Sequence, residues 1–201
     1  MKHHKFTGWI FIAFLCAECF AKDPFDESTA QFASALKISI DSQANIAKST
    51  LDLSSKLPLK VEKYLLKQKG TRTFELMAPI DVDVLNNNDV VATGCFLTCD
   101  SFKVACNTLL RKLVMSSMPI KLLARRYEAS HEAIGNLLII EKSFDKTTGM
   151  YSSVPVGIHF VRGSTMISLR SPTPSMNIYD IAKALDAVLS DSCAEKPSNE
   201  Q

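Results

Sequence analysis

Residues 94–113 have the sequence GCFLTCDSFKVACNTLLRKL, in which a strand pattern passes into a helix pattern. The strand pattern ends near Leu97, and Asp100 follows at the place of a helix N-cap residue. We therefore predict a strand-to-helix corner in which Cys106 faces the core. Apolar residues recur every three or four positions on one predicted helix face, at Phe102, Ala105, Cys106, Leu109 and Leu113.

Runs of alternating or continuous apolar residues on both sides of this corner predict an antiparallel sheet of about four to six strands. Polar residues at 86–89 join the first two strands, and the turn at 162–164 joins the last two. Residues 120–136 fit a helix that ends at Gly135, but their pattern also admits a strand. The strand segments are residues 74–84, 90–97, 137–140, 154–161 and 165–169.

Three further helices are predicted around this sheet. Apolar residues spaced by three or four predict one long amphipathic helix over residues 28–55. Pro58 would open a second helix that Gly70 ends, so that the two form an N-terminal helical hairpin. Asn177 opens a C-terminal amphipathic helix whose apolar stripe reaches Leu189. Helices that bracket adjacent antiparallel strands indicate the α+β fold class.

Residues 1–21 predict an export signal. Lys2 and Lys5 precede an apolar run too short to cross a bilayer, which takes roughly 20 residues. We expect residues 22–193 to form a single α+β domain and residues 194–201 to be a disordered tail. No later segment reaches transmembrane length, so the mature chain is expected to be periplasmic or extracellular, without a transmembrane segment.

The charge of the chain is nearly balanced. The sequence has 23 basic and 21 acidic residues, and removal of residues 1–21 would leave 21 and 20. No global charge therefore steers the protein toward nucleic acid or toward any other strongly charged partner. Local concentrations of charge carry more information than this total.

The basic residues are concentrated in two segments. On the predicted second helix they follow helical spacing and have Glu62 as the one acid among them. Such a run usually means a solvated face, and its functional interpretation is a docking surface for an acidic protein partner or an anionic envelope surface. Nucleic acid is not predicted, because interleaved aromatic residues are too few. The candidates are Lys56, Lys60, Lys63 and Lys67, then Arg111, Lys112, Arg125 and Arg126.

Four cysteines, Cys95, Cys99, Cys106 and Cys193, lie beyond the predicted signal and predict a disulfide framework in an exported chain. Three pairings are possible. We favour Cys106 with Cys193, since both fall on apolar helix faces, and by default Cys95 with Cys99. A straight strand would hold Cys95 and Cys99 about 13 Å apart, so that pairing requires the chain to turn between them.

Thiol–disulfide exchange is the alternative function of these cysteines, with Cys99 paired to Cys95 or to Cys106. Cys99 stands just before the predicted helix N-terminus, where the helix dipole stabilises a thiolate. The spacing differs from the two-residue separation of thioredoxin-like motifs, and Asp100 would oppose thiolate formation. The cysteines match no usual zinc-ligand spacing either, so no metal is predicted.

Catalytic motifs do not nominate an enzyme. His131 and His159 have no triad-like neighbours in the sequence, and we expect each to be a surface or a hydrogen-bonded core histidine. Glu141 and Asp145 are close together, but such pairs are common on solvated faces. No nucleotide-binding motif occurs, and no cofactor is predicted. The sequence thus favours an exported, disulfide-stabilised binding or accessory protein: a periplasmic adaptor, an envelope or secretion-system component, or an inhibitor-like protein.

Overall fold

A computed structural model describes residues 24–40, 46, 48, 51, 53–71, 79–117 and 125–193. These residues form three helices and nine strands, so the chain is α+β, as predicted, with mostly sheet. In chain order the elements are α1 (Pro24–Ala35), a 3-10 turn (Leu53–Lys56), β1 (Leu59–Val61), β2 (Tyr64–Thr71), β3 (Ile80–Asn86), β4 (Asp89–Thr98), α2 (Phe102–Ser117), β5 (Arg125–Ser130), β6 (Leu137–Asp145), β7 (Met150–Tyr151), β8 (Gly157–Arg162), β9 (Thr165–Arg170) and α3 (Asn177–Cys193).

The strands form one open antiparallel sheet. Along its main path the order is β1-β2-β3-β4-β9-β8-β6-β5, and β7 pairs with the last residues of β6. β4 and β9 lie side by side at the centre, so the strands before α2 and the strands after it form two halves that join there. The edges of the sheet are β1 and β5, at its opposite ends.

Alternation along the strands divides the sheet into two faces. One face packs on α3 and is apolar; we call it the α3 face. The opposite face packs on α2 over the central strands; we call it the α2 face. Buried strand residues on the α3 face are Val82, Val84, Phe96, Leu138, Ile140, Ile158, Phe160, Ile167 and Leu169, and those on the α2 face include Cys95, Ile139, Val161 and Met166.

The strand-to-helix corner between β4 and α2 is confirmed, but its cap differs from the prediction. The Cys99 N–H donates to the Ser164 carbonyl at 2.8 Å, so the chain stays next to β9 to the end of β4. The Ser101 hydroxyl then accepts the Val104 N–H at 3.3 Å. Ser101 therefore caps α2, in place of the predicted Asp100, because its hydroxyl lies three residues before a free helical N–H.

The prediction of one long helix over residues 28–55 is wrong. Helix α1 ends at Ala35, where Lys37 adopts a positive φ of 56°. The Ile38 N–H donates to the Ala33 carbonyl and the Lys37 N–H to the Ser34 carbonyl, each at 2.9 Å. These two hydrogen bonds together form the Schellman motif, in which a residue in the left-handed conformation ends the helix. Glycine usually takes that place, so Lys37 gave no signal in the sequence.

The second predicted helix, and with it the helical hairpin, is also wrong, because β1 and β2 form a β-hairpin there. Val61 and Tyr64 pair across the turn, and Glu62 within it has a positive φ of 52°. Val61, Tyr64 and Leu66 are buried against the α3 face. The spacing of Val61 and Tyr64 by three residues fits a helical turn and a tight hairpin equally, which explains the error.

The predicted strand count of about four to six is too low, since nine strands lie in the described residues. β1 and β2 replace a predicted helix, and β5 forms in the segment whose pattern admitted both states. The hairpins β3–β4 and β8–β9, strand β6 and helices α2 and α3 confirm the predicted elements.

Two predicted segments lie outside the described residues, namely the export signal at 1–21 and the tail at 194–201. No helix in the described ranges combines the length and the apolar character needed to cross a membrane.

Candidate functional site

A group of polar and charged side chains is buried in the α2 face. Glu141 on β6 and His159 on β8 are 1% and 0% exposed, and Ser168 on β9 is also buried. Arg125 on the edge strand β5 and Arg170 on β9 reach them from the partly exposed side. We call these five residues the buried polar cluster.

Glu141 is the centre of the cluster because both of its carboxylate oxygens have partners. Oε1 lies 3.1 Å from Arg125 Nη1, and Oε2 accepts from Arg170 Nε at 2.8 Å and from His159 Nε2 at 3.0 Å. Burial alone raises the pKa of Glu141, but the hydrogen bond from His159 and the charge of Arg170 outweigh it and lower the pKa to about 2. The carboxylate is therefore ionised at neutral pH.

His159 is neutral at the same pH. Burial lowers its pKa to about 4, against the opposing effect of Glu141. The neutral ring carries its proton on Nε2 in order to donate to Glu141, so Nδ1 accepts from the Ser168 hydroxyl at 2.9 Å. The expectation of a hydrogen-bonded core histidine is thus confirmed, whereas Glu141 does not lie on the solvated face that we expected.

Ser168, His159 and Glu141 are connected in the order of a catalytic triad, but their surroundings differ from those of a hydrolase. A Cβ atom on Gly157 would lie 2.7 Å from Glu141 Oε2 and 2.9 Å from His159 Nε2, so the backbone at Gly157 packs directly against this pair. Two shallow depressions on the described surface lie elsewhere, at the β1–β2 turn and next to β7. The buried polar cluster thus connects β6, β8 and β9 through hydrogen bonds and ion pairs.

Arg170 extends the cluster to neighbouring elements. Its Nη2 donates to the Ser116 hydroxyl at the end of α2 at 3.1 Å and to the Tyr127 hydroxyl on β5 at 3.4 Å. The Tyr127 ring in turn meets the Phe32 ring of α1 edge to face, with 5.5 Å between centroids. One network of polar and aromatic contacts thus connects α1 and α2 to the edge of the sheet.

The cysteines lie on the α2 face, next to this cluster. Cys95, Cys99 and Cys106 are buried and carry free thiols in the structure. β4 runs without a turn from Cys95 to the residue before Cys99, so the turn that a bridge between these two requires is not formed. Cys193 is the last residue of α3, and its side chain lies outside the described residues. The predicted pairings therefore stay predictions.

The protonation of Cys99 and Cys106 runs against the thiol–disulfide alternative. Burial raises the pKa of Cys99, and Asp100 adds to this, while a hydrogen bond with Thr108 opposes it. Burial, together with nearby Cys99, raises the pKa of Cys106 to about 12. Exchange requires a thiolate at an accessible position, and these two thiols are protonated and buried.

The first group of basic candidates lies together at the β1 edge of the sheet. Lys56 ends the 3-10 turn, Lys60 lies on β1, Lys63 lies in the turn and Lys67 lies on β2. All four side chains are exposed. Lys63 Nζ lies 5.2 Å from the centre of the Tyr64 ring, and among the described residues none of the four lysines makes an ion pair.

The second group does not join the first. Arg111 is on α2 near Asp26, Lys112 contacts Cys95, and Arg125 and Arg126 are on β5, at the opposite edge of the sheet from β1. Arg126 pairs with Glu128 at 3.0 Å, and Arg125 belongs to the buried polar cluster. The eight predicted candidates therefore form two groups. The four lysines lie at the β1–β2 hairpin, whereas the other four residues make contacts within the fold.

Sequence reasoning did not find Ser168 and Arg170 as partners of His159. The available signal was the presence of polar residues at inward positions of otherwise apolar strands, at His159 on β8 and Ser168 on β9. Since these two residues are directly opposite each other in the β8–β9 register, the predicted hairpin already implied that they meet. His131, the other candidate histidine, is exposed.

Within the described residues no three His, Cys, Asp or Glu side chains are grouped as a metal site would require. Comparison with known proteins adds no assignment: no protein-family model, no curated protein and no solved structure matches this chain.

Proposed function

We propose that this chain is an exported binding or accessory protein that docks on an acidic protein partner through the β1–β2 hairpin. The observation that carries the proposal is the group of four exposed lysines, Lys56, Lys60, Lys63 and Lys67, on one edge of the sheet. Glu62 is the one acidic residue between Lys56 and Lys67.

The geometry of the hairpin brings two of the four lysines, Lys60 and Lys67, onto one surface. Lys60 is paired with Leu65, which stands two residues before Lys67, so both lysines project from the same side of the sheet. Lys69 follows on that side and pairs with Asp83 at 3.4 Å. α2 does not contact β1 or β2 closely, and this part of the sheet is exposed to solvent.

The positive charge of the lysine surface favours an acidic partner. Exposed lysines that make no ion pair with the described residues attract negative charge, and complementary potentials raise association rates and favour one orientation. An acidic protein surface presents carboxylates at fixed positions, which fits lysines that the hairpin holds at fixed positions. The predicted export signal favours a partner in the periplasm or outside the cell, where an adaptor, a secretion-system component or an inhibitor-like protein would act.

Photo-crosslinking in cells tests the proposal. A photoreactive residue at Lys60 is expected to capture one acidic protein, whereas the same residue at Arg126, on the opposite edge, captures none or a different one. With the captured protein purified, Lys60→Glu combined with Lys67→Glu should weaken binding by roughly tenfold or more, and added salt should do the same to the unmodified protein. Arg126→Glu is the matched control and should bind as well as the unmodified protein.

Two results would contradict the proposal. Equal crosslinking from Lys60 and from Arg126 would show that the β1–β2 hairpin is not the docking surface. The other result is that no protein is captured, while the unmodified protein binds vesicles of anionic phospholipid and the double lysine variant does not. This result would show that the lysines bind a membrane surface and not a protein.

A further inference from the structure

The contact between Lys112 of α2 and Cys95 of β4 is too short for an ordinary hydrogen bond. Lys112 Nζ lies 2.6 Å from Cys95 Sγ. An N–H···O bond measures roughly 2.7–3.2 Å, and sulfur is the larger atom, so an N–H···S bond is longer still. The separation instead matches two single bonds through one intervening light atom.

The fold holds these two atoms against each other. Cys95 is 1% exposed and lies on the α2 face, where its neighbour in the register of β9 is Ser168. Lys112 lies in the second half of α2 and is half-buried, and its contact with Cys95 is only partly buried. A small oxidant can therefore approach the pair from the side of Lys112.

We infer that Lys112 and Cys95 form a covalent nitrogen–oxygen–sulfur bridge, an oxidative modification that links α2 to β4. The lysine ammonium first releases a proton to solvent. One molecule of dioxygen then reacts with the amine and the thiol: N–O and O–S bonds form, and one N–H bond and the S–H bond break. The second oxygen atom leaves as water with those two hydrogens. Nitrogen and sulfur each lose two electrons, and dioxygen gains four.

The electrostatics of the α2 face favour the product. The charge of Lys112 is felt at His159, together with that of Arg170, so it belongs to the surroundings of the buried polar cluster. Two arginines there already face a single carboxylate, Glu141. Conversion of the ammonium into a bridged, uncharged nitrogen removes a third positive charge from this partly buried region.

The bridge also gives Cys95 a role that the disulfide framework does not. Cys95 cannot take part in a disulfide while it is bridged to Lys112, and Cys99 and Cys106 carry free thiols beside it. Because the bridge closes a short loop across the β4–α2 corner, its formation should raise the melting temperature by roughly 5–10 °C. A dithiol reductant would reverse it, since two dithiol molecules supply the four electrons and restore amine, thiol and water.

Peptide mass spectrometry of the whole protein, purified in air and after treatment with dithiol, tests the inference. We expect a crosslinked peptide pair that contains Cys95 and Lys112 and exceeds the sum of the two free peptides by one oxygen less two hydrogens. Dithiol should remove the crosslink and lower the melting temperature. Lys112→Arg, which keeps the positive charge, should lack both the crosslink and the dithiol-sensitive shift, whereas Cys106→Ser should retain both.

Three results would overturn the inference. Recovery of unmodified Cys95 and Lys112 peptides from the protein exposed to air would show that the contact is only a hydrogen bond. A crosslink without the extra oxygen would indicate a direct nitrogen–sulfur bond instead. A disulfide between Cys95 and Cys99 would show that Cys95 serves the predicted disulfide framework.

Discussion

The two faces of the sheet bury different kinds of side chain. The α3 face packs Ile158, Phe160 and Leu169 against apolar residues of α3. It also holds one ion pair with a buried carboxylate, in which Arg162 Nε lies 2.7 Å from Asp186 Oδ1. The α2 face combines an apolar patch with three thiols and the buried polar cluster.

The two faces therefore stabilise the fold through two different contributions, apolar burial and buried charge pairs. Apolar burial is non-directional and hardly depends on pH, whereas a buried charge is tolerated only while its partners are present and in the correct protonation state. The α3 face should therefore respond to loss of volume, and the α2 face to loss of charge, to pH and to redox conditions.

Removal of volume from the α3 face should have the largest effect. Phe160 is fully buried on β8, and Phe160→Ala is expected to lower the free energy of unfolding by about 3–5 kcal/mol, because it removes apolar contacts and leaves a cavity. Urea denaturation monitored by circular dichroism measures this loss. The loss should be the same at pH 7.5 and pH 5.5; a strong dependence on pH would contradict the division between the faces.

Removal of the central charge from the α2 face should come next. Glu141→Gln keeps the size of the side chain but leaves Arg125 and Arg170 without their buried carboxylate, at a cost of about 3 kcal/mol. Asp191→Asn is the matched control, since Asp191 is exposed on α3 and its change should alter the free energy by less than about 0.5 kcal/mol. Equal effects of the two variants would show that the cluster does not stabilise the fold.

Acid should weaken the α2 face through His159. Its pKa is lowered from 6.5 to about 4 in the folded protein, so the unfolded chain binds the proton first and stability falls as the pH decreases through this window. The expected loss from this residue is about 2 kcal/mol between pH 7.5 and pH 5. His159→Gln should remove that part of the pH dependence in denaturation curves, and an unchanged slope would contradict the assignment.

The smallest effect concerns the corner between β4 and α2. Ser101→Ala should cost about 1 kcal/mol, because it removes the hydroxyl that caps α2. Asp100→Ala, at the position predicted from sequence, should cost clearly less. The order of the two melting temperatures shows which residue caps α2. A larger loss for Asp100→Ala would identify Asp100 as the cap, as the sequence predicted.

Local patterns in the sequence were sufficient for part of this fold. The turns at residues 86–89 and 162–164 have residue types that specify hairpins, and the β4–α2 corner and α3 have long, regular patterns. The N-terminal region was misread for two physical reasons. α1 is closed by a lysine in a left-handed conformation, and residues 59–71 have apolar spacings that a helix and a hairpin share.

The sequence by itself determined the α+β class, the corner and the positions of the lysines along the chain. Only the tertiary structure decided what these residues meet, because a contact between strands depends on the order of the strands in the sheet. That order brings Glu141, His159 and Arg170 together from three strands, and it separates the lysines of β1 and β2 from the arginines of β5. The packing of α2 on the sheet places Lys112 against Cys95, a contact that the spacing along the chain did not predict.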